Sequence, residues 1–161
     1  MNVVAVANKR KLEEYFEIIL SEFHKYCVGN EMIDGVPIKD LITIKNAKES
    51  FEFECLGWNF CIKKDLYPFE GIAYLKTYEI IDNHNDYPNK KLEPLSEIDI
   101  VYQLRSMNFR FVKSMPKNVT AGRNNDGTYQ PVSVDTSGII NFNKQFIMQL
   151  YATLQNKHKH L

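Results

Sequence analysis

Ser50-Phe-Glu-Phe-Glu-Cys-Leu-Gly-Trp-Asn-Phe-Cys-Ile-Lys-Lys64 is the stretch of sequence from which the fold is inferred. A two-residue turn at Leu56-Gly57 would pair one apolar set across two strands, namely Cys55 with Trp58, Phe53 with Phe60 and Phe51 with Ile62. The other face would pair Glu54 with Asn59, Glu52 with Cys61 and Ser50 with Lys63. A slip of one residue would move the polar set into the core, so the pattern predicts a hairpin of fixed register.

Strand signals continue on both sides of this hairpin. Before it lie a tight turn at Asp34-Gly35 and a β-branched stretch at 41–44; after it, residues 71–81 read as a long strand. Residues 97–104 alternate as a strand does, although Ser96 with Asp99 also resembles a helix capping box. Residues 108–113 are predicted to form a hairpin with the strand at 97–104. A further hairpin is predicted from the strands 132–134 and 139–140, joined by a turn at 135–138. The polar stretches 82–91 and 118–130 are predicted loops.

Two amphipathic helices are predicted at the ends of this run of strands. The first has an apolar stripe from Leu12 to Cys27, with Asn8 as its N-cap and Gly29 as its stop signal. The second begins near Asn143 and ends in a cationic tail at 157–160. The sequence therefore predicts a single α+β domain over residues 1–161. We expect two layers, an antiparallel sheet of six to eight strands with both helices packed on one face.

Composition limits the class of protein. A chain of 161 residues with 44% hydrophobic and 25% charged residues is typical of one globular domain. It has no apolar run of about 18 residues and no basic segment before its first apolar residues, so neither a membrane span nor a signal peptide is predicted. Three cysteines do not form a disulfide framework, which favours a cytoplasmic location. The excess of lysine over arginine, 16 to 4, is typical of an AT-rich bacterial or phage genome.

Charge is distributed unevenly along the chain. The net charge of zero combines −6 over residues 1–100 with +6 over residues 101–161. Within residues 100–125 there is no acidic residue, and the five basic residues are Arg105, Arg110, Lys113, Lys117 and Arg123. The guanidinium group suits carboxylate and phosphate, so this segment is the predicted binding surface. The alternative is a solvated face that neutralises the acidic first part of the chain.

The sequence contains no complete catalytic or metal-binding motif. His24 and Cys27 could share a helix face, but the other histidines do not complete a zinc spacing. There is no phosphate-binding glycine loop, nucleophile elbow or HExxH motif. In the predicted hairpin Cys61 faces Glu52, which would not activate a thiol. We therefore predict no catalytic residue, no metal and no cofactor. The absence of a catalytic motif favours a protein that is not an enzyme and leaves an enzyme of unrecognised type as the alternative.

Two functional hypotheses remain open. The first is a non-catalytic interaction protein, such as an inhibitor, an immunity-type protein or an adaptor, that binds a protein partner through residues 105–123. The alternative is a small-molecule or nucleotide-binding domain, including an enzyme of unrecognised type, in which Arg110, Lys113 and Arg123 hold an anionic ligand. Trp58, Tyr74 or Tyr102 would then line its pocket.

A homodimer that covers the Tyr and Ile side chains of 71–81 is compatible with both hypotheses. Nucleic acid is disfavoured as a partner because the chain is neutral overall and lacks the signatures of nucleic-acid-binding folds.

Overall fold

The computed structural model describes residues 3–47, 50–81, 91–106, 108–112, 132–133 and 136–158. The helices are α1 (Val3–Val28), α2 (Ile38–Leu41) and α3 (Thr136–Lys157), and a short 3-10 turn spans Ser96–Ile98. The strands are β1 (Met32–Ile33), β2 (Val36–Pro37), β3 (Ile42–Asn46), β4 (Phe51–Cys55), β5 (Trp58–Tyr67), β6 (Ile72–Ile81), β7 (Lys91–Pro94), β8 (Ile100–Gln103), β9 (Asn108–Phe111) and β10 (Val132–Ser133).

Eight of these strands form one antiparallel sheet. Seven lie in the order β10-β9-β8-β6-β5-β4-β3, and β7 pairs with β6 beside β8. Strands β1 and β2 form a separate small hairpin. Helices α1 and α3 contact each other and cover one face of the sheet, so the predicted two-layer α+β fold is confirmed.

The β4–β5 hairpin has the register that its alternation predicts. Phe51 pairs with Ile62, Phe53 with Phe60 and Cys55 with Trp58, while Glu52 and Glu54 oppose Cys61 and Asn59. The two turn residues both adopt left-handed backbone angles, with φ of 53° at Leu56 and 90° at Gly57. Two such residues in a row give the turn a twist that matches the twist of the strands.

Phe23 of α1 is at the centre of the core. Its ring centroid lies 5.6 Å from Phe51, 5.9 Å from Phe53 and 5.2 Å from Phe146 of α3. Phe53 in turn stacks on Phe60 at 5.4 Å. Aromatic contacts at these distances add to the free energy gained by burying the rings. One side chain thus connects both long helices to the hairpin.

Helix α1 extends beyond its predicted start. Asn8 was predicted as the N-cap, but α1 begins at Val3, and the side-chain amide of Asn8 donates a hydrogen bond of 2.8 Å to the carbonyl of Pro68. The preceding Val and Ala residues are compatible with helix, so the polar side chain did not have to mark an end. The predicted stop at Gly29 is confirmed, since α1 ends at Val28.

The start of α3 was also predicted wrongly. Residues 139–140 were expected to form a strand after a turn at 135–138, with the helix beginning near Asn143, whereas α3 begins at Thr136. Thr, Ser and Asp are favoured both in turns and at helix N-termini, so the local sequence does not distinguish the two. The strand predicted before this turn is present as β10.

Two elements were not predicted, and a third stretch was ambiguous between a strand and a helix. Helix α2 and strand β7 were not predicted. The ambiguous stretch 97–104 divides, with a 3-10 turn to Ile98 and then β8, which confirms the strand for its second part. Of the predicted loops, residues 82–90 and 118–130 lie outside the described residues, and Lys91 begins β7.

Helix α1 has 26 residues, more than the roughly 20 that would cross a bilayer. It carries charged side chains along its length, including Arg10, Glu14 and Lys25. Among the described residues, no helix has both the length and the apolar composition that a membrane span requires.

The hairpin turn gives a direct test of backbone strain. We expect Gly57→Ala to lower the free energy of unfolding by about 1–2 kcal/mol, because an L-residue is disfavoured at φ 90°. No atom lies within 4 Å of the position of an added Cβ, so a steric clash would not contribute. Urea unfolding measures the loss, and Gly57→Asn should lose less because Asn tolerates left-handed angles. An Ala variant as stable as the wild type would contradict this.

Two core cysteines are expected to be unreactive in the native protein. Burial raises the pKa of both Cys27 and Cys55 to about 12, and the proximity of Cys55 raises that of Cys27 further. At pH 8 the reactive thiolate would be only about one part in ten thousand of each. A disulfide reagent followed by peptide mapping should label both cysteines only in denaturant. Rapid labelling of either one in the folded protein would show that the core opens.

Candidate functional site

The sheet face that points away from the helices is the candidate site. It is called the open face here, and its described members include Thr43 of β3; Glu52 and Glu54 of β4; Asn59, Cys61, Lys63, Asp65 and Tyr67 of β5; Ile72, Tyr74, Lys76, Tyr78 and Ile80 of β6; Leu92 and Pro94 of β7; Val101 and Gln103 of β8; and Arg110 of β9. The strand alternation that directs Ala73 and Leu75 into the core directs these side chains to the opposite side. No helix or strand among the described residues covers this face.

Two small side chains on the open face are nevertheless buried. Cys61 was predicted to lie on the polar side of the hairpin, and it does, but it is only 2% exposed; Val101 is 5% exposed. In the ladder Cys61 is directly opposite Tyr78, and Val101 is directly opposite Tyr74. Directly opposed side chains contact each other, so the larger tyrosine rings shield their neighbours.

The best defined part of the open face is a cluster around Asp65. The hydroxyl of Tyr67 donates a hydrogen bond of 3.0 Å to the Asp65 carboxylate, and Lys76 Nζ lies 3.1 Å from the same group. The Tyr67 and Tyr74 rings meet edge to face at 5.5 Å. Lys76 Nζ is also 6.0 Å from the centre of the Tyr74 ring, at the limit of a cation–π contact. These contacts join the four side chains in one exposed cluster.

The charges of the cluster follow from these contacts. The hydrogen bond to Asp65 raises the pKa of Tyr67, and the hydrogen bond to Asp65 likewise raises the pKa of Lys76. At neutral pH Tyr67 is therefore a neutral hydroxyl and Lys76 a full cation. A cavity of about 390 Å³ opens beside the two groups and is lined by Tyr67, Glu70, Ile72, Tyr74 and Lys76.

Only part of the predicted basic segment can be placed. Arg110 lies on the open face opposite Val101, and it is half-buried. The neighbouring Phe111 is buried on the helix side, as the alternation predicts. Arg105 is exposed in the turn after β8 and does not stand beside Arg110. Lys113, Lys117 and Arg123 lie outside the described residues.

The aromatic residues proposed to line a pocket with Arg110 do not share one face. Tyr74 lies on the same face as Arg110. Tyr102 is buried on the helix side, where its ring stacks on Tyr15 at 4.6 Å. Trp58 is also on the helix side and stacks on His158 at 4.4 Å. The open face therefore keeps one of the three aromatic side chains.

A second cluster, around Glu79, was not predicted. Glu79 is 1% exposed on the helix side of β6, and its carboxylate lies 3.2 Å from Lys157 Nζ and 2.8 Å from His158 Nε2. Lys157 also pairs with Glu93 of β7 at 3.0 Å. These contacts fix the end of α3 to the sheet. The sequence shows only that one carboxylate occupies a core position of a strand. It does not indicate the partners, because these lie almost 80 residues further along the chain.

The described residues contain no group of three or more His, Cys, Asp or Glu side chains that could hold a metal ion. Cys27 is buried in the core, and His24 is half-buried one turn earlier on α1.

Comparison of the chain with protein-family models, with curated proteins and with solved structures gave no match.

The Glu79 cluster generates a prediction about stability. We expect Lys157→Met to lower the free energy of unfolding by about 1–3 kcal/mol, because a buried carboxylate loses one cationic partner. Lys144→Met on the exposed side of α3 is the matched control and should change stability by no more than about 0.5 kcal/mol. Adding Glu79→Gln to Lys157→Met should recover part of the loss. Equal stability of the Lys157 and Lys144 variants by urea unfolding would contradict this account.

Proposed function

We propose that this chain is a non-catalytic interaction protein that binds an acidic segment of a protein partner through the open face. The observation that carries the proposal is the combination of tyrosine rings and cations on one sheet face that no described element covers. The class of activity would be that of an inhibitor, an immunity-type protein or an adaptor. From the composition we expect it to act in the cytoplasm of a bacterium or of a phage-infected cell.

The charge of the open face supports an acidic partner. Lys63 and Lys76 are directly opposite each other across β5 and β6, and Arg110 lies further along the same face. Glu52 and Glu54 of β4 lie on the same face, where Lys45 of β3 pairs with Glu54 at 3.1 Å. Asp65 of β5 neutralises one cation through its contact with Lys76. On the β5 and β6 positions of the face, Lys63 and Lys76 stand against the single carboxylate of Asp65. This local positive excess attracts acidic segments and disfavours basic ones.

The apolar content of the open face supports a protein partner in particular. Tyr74 and Tyr78 present ring faces together with a hydroxyl, the kind of side chain that is enriched at protein interfaces. At the end of β5, Tyr67 is 42% exposed, and Phe69 in the following turn is 73% exposed. Such a mixed, extended surface suits a protein segment better than a small anion that needs cations on several sides of it.

The proposal is tested by crosslinking in the source cell. A photoreactive residue placed at Tyr74 should crosslink a second protein, and Lys76→Glu combined with Arg110→Glu should reduce the yield by about tenfold or more, because like charges then face each other. Lys39→Glu with Lys144→Glu changes the charge equally, away from the open face, and should keep the yield. Circular dichroism should show that both variants are folded.

Three results would overturn the proposal. One is an equal loss of crosslinking in the two charge-reversed variants. Another is a crosslink formed from position 144 on α3 but not from position 74. The third is a crosslinked product that contains only a second copy of this chain, which would assign the open face to a homodimer.

A further inference from the structure

One stretch of β5 has a sheet neighbour on one side only. Strand β4 pairs with β5 from Trp58 to Ile62, whereas β6 continues to pair with β5 as far as Tyr67. Beyond Ile62, no strand among the described residues pairs with β5 on the β4 side. Residues 63–67 of β5 therefore form an edge inside the sheet, where β4 ends and β5 continues.

The alternation of an antiparallel ladder identifies the backbone groups on this edge. Because a two-residue turn joins the strands, Cys55 and Trp58 form a hydrogen-bonded pair, and every second residue of β5 then bonds to β4. Continued past Ile62, the same alternation directs the N–H and C=O groups of Lys64 and Leu66 away from β6. These groups are available to another strand.

A cleft of about 670 Å³ adjoins the edge on the side of α1. Its lining combines apolar side chains, Phe16 and Leu20 of α1 with Phe51 and Ile62 of the hairpin, with polar ones, among them Glu17, Ser21 and His24 of α1. Since successive side chains of a strand point to opposite faces, a strand added beside β5 would direct every second side chain into this cleft. Apolar side chains suit those positions.

The charges beside the edge select the occupant. Lys63 and Lys64 are both exposed. Lys64 points to the helix side, where its Nζ lies 4.0 Å from Glu13 and 5.3 Å from the Phe16 ring. Lys63 points to the open face and makes no ion pair with the residues that the structure describes. Asp65, the other open-face charge of this edge, is already engaged by Lys76 and Tyr67, so Lys63 is the charge that attracts an acidic strand.

We infer that the edge at residues 63–67 binds an extended peptide segment in which apolar residues alternate with acidic ones. The segment adds a strand to the sheet through the backbone groups of Lys64 and Leu66. Its apolar side chains enter the cleft beneath α1, and its carboxylates face Lys63. This site shares Lys63 with the open face, but it uses the backbone edge of β5 and does not depend on the interaction proposed above.

The test uses the whole chain and a defined probe, the capped peptide Val-Glu-Val-Glu-Val-Glu. Amide hydrogen exchange measured by NMR should slow at Lys64 and Leu66 when the peptide is added, because their N–H groups become hydrogen-bonded. A peptide of the same sequence, N-methylated at alternate residues, should fail to slow exchange, because it cannot complete the ladder. A Val-Lys-Val-Lys-Val-Lys peptide should fail as well, because its charge is repelled.

A charge reversal separates this site from a general attraction. Lys63→Glu should weaken binding of the valine–glutamate peptide by about tenfold, because carboxylates then face one another. Lys39→Glu on α2 makes the same charge change away from the edge and should leave the affinity unchanged. Thermal unfolding of both variants would confirm that each is folded.

Other outcomes would overturn the inference. Protection at Lys64 and Leu66 before peptide is added, independent of protein concentration, would mean that the chain itself covers the edge. Protection that grows with protein concentration would assign the edge to a second copy. Equal binding of the N-methylated peptide, or peptide-induced shifts confined to Tyr74 and Arg110, would show that no strand is added. Protection of the edge before peptide is added leaves the crosslinking from position 74 unaffected, whereas shifts confined to Tyr74 and Arg110 would place the peptide on the open face instead.

Discussion

The structure depends on the burial of the aromatic face of the β4–β5 hairpin. Phe51, Phe53 and Phe60 form a continuous apolar surface that neither strand can bury by itself, and Phe23 of α1 meets it together with Phe146 of α3. Because the two helices come from opposite ends of the chain, this contact closes the fold over its full length. The positions of the remaining strands follow, since each must join a sheet whose covered side is already set.

Covering one face of a sheet with both helices has a consequence for the other face. The strand alternation that supplies Leu75 to the core must also place Tyr74 and Lys76 where no helix lies. Tyrosine at such positions also packs across the strands, as the burial of Cys61 opposite Tyr78 and of Val101 opposite Tyr74 shows. The contacts of Tyr67 and Lys76 with Asp65 add a polar cluster outside the core.

Much of the fold could be predicted from periodicity, whereas the boundaries of elements and the contacts of polar side chains could not. The hairpin register was predictable because a slip of one residue would bury Glu52 and Glu54. Asn8 and Thr136 were misjudged because the same residue types serve in turns, at caps and in tertiary hydrogen bonds. The predicted site was only partly informative: Arg110 is on the open face, but Arg105 is in a turn and does not stand beside it.

The sequence by itself determined which residues alternate and which recur every three or four positions, and so the two helices, the central hairpin and the two-layer class. These are local properties, repeated over enough residues to outweigh single exceptions. Only the tertiary structure decided that Glu79 meets Lys157 and His158, and that β5 continues past the end of β4. Such features join distant parts of the chain, and their energies depend on which groups burial brings together, a property that no short stretch of sequence contains.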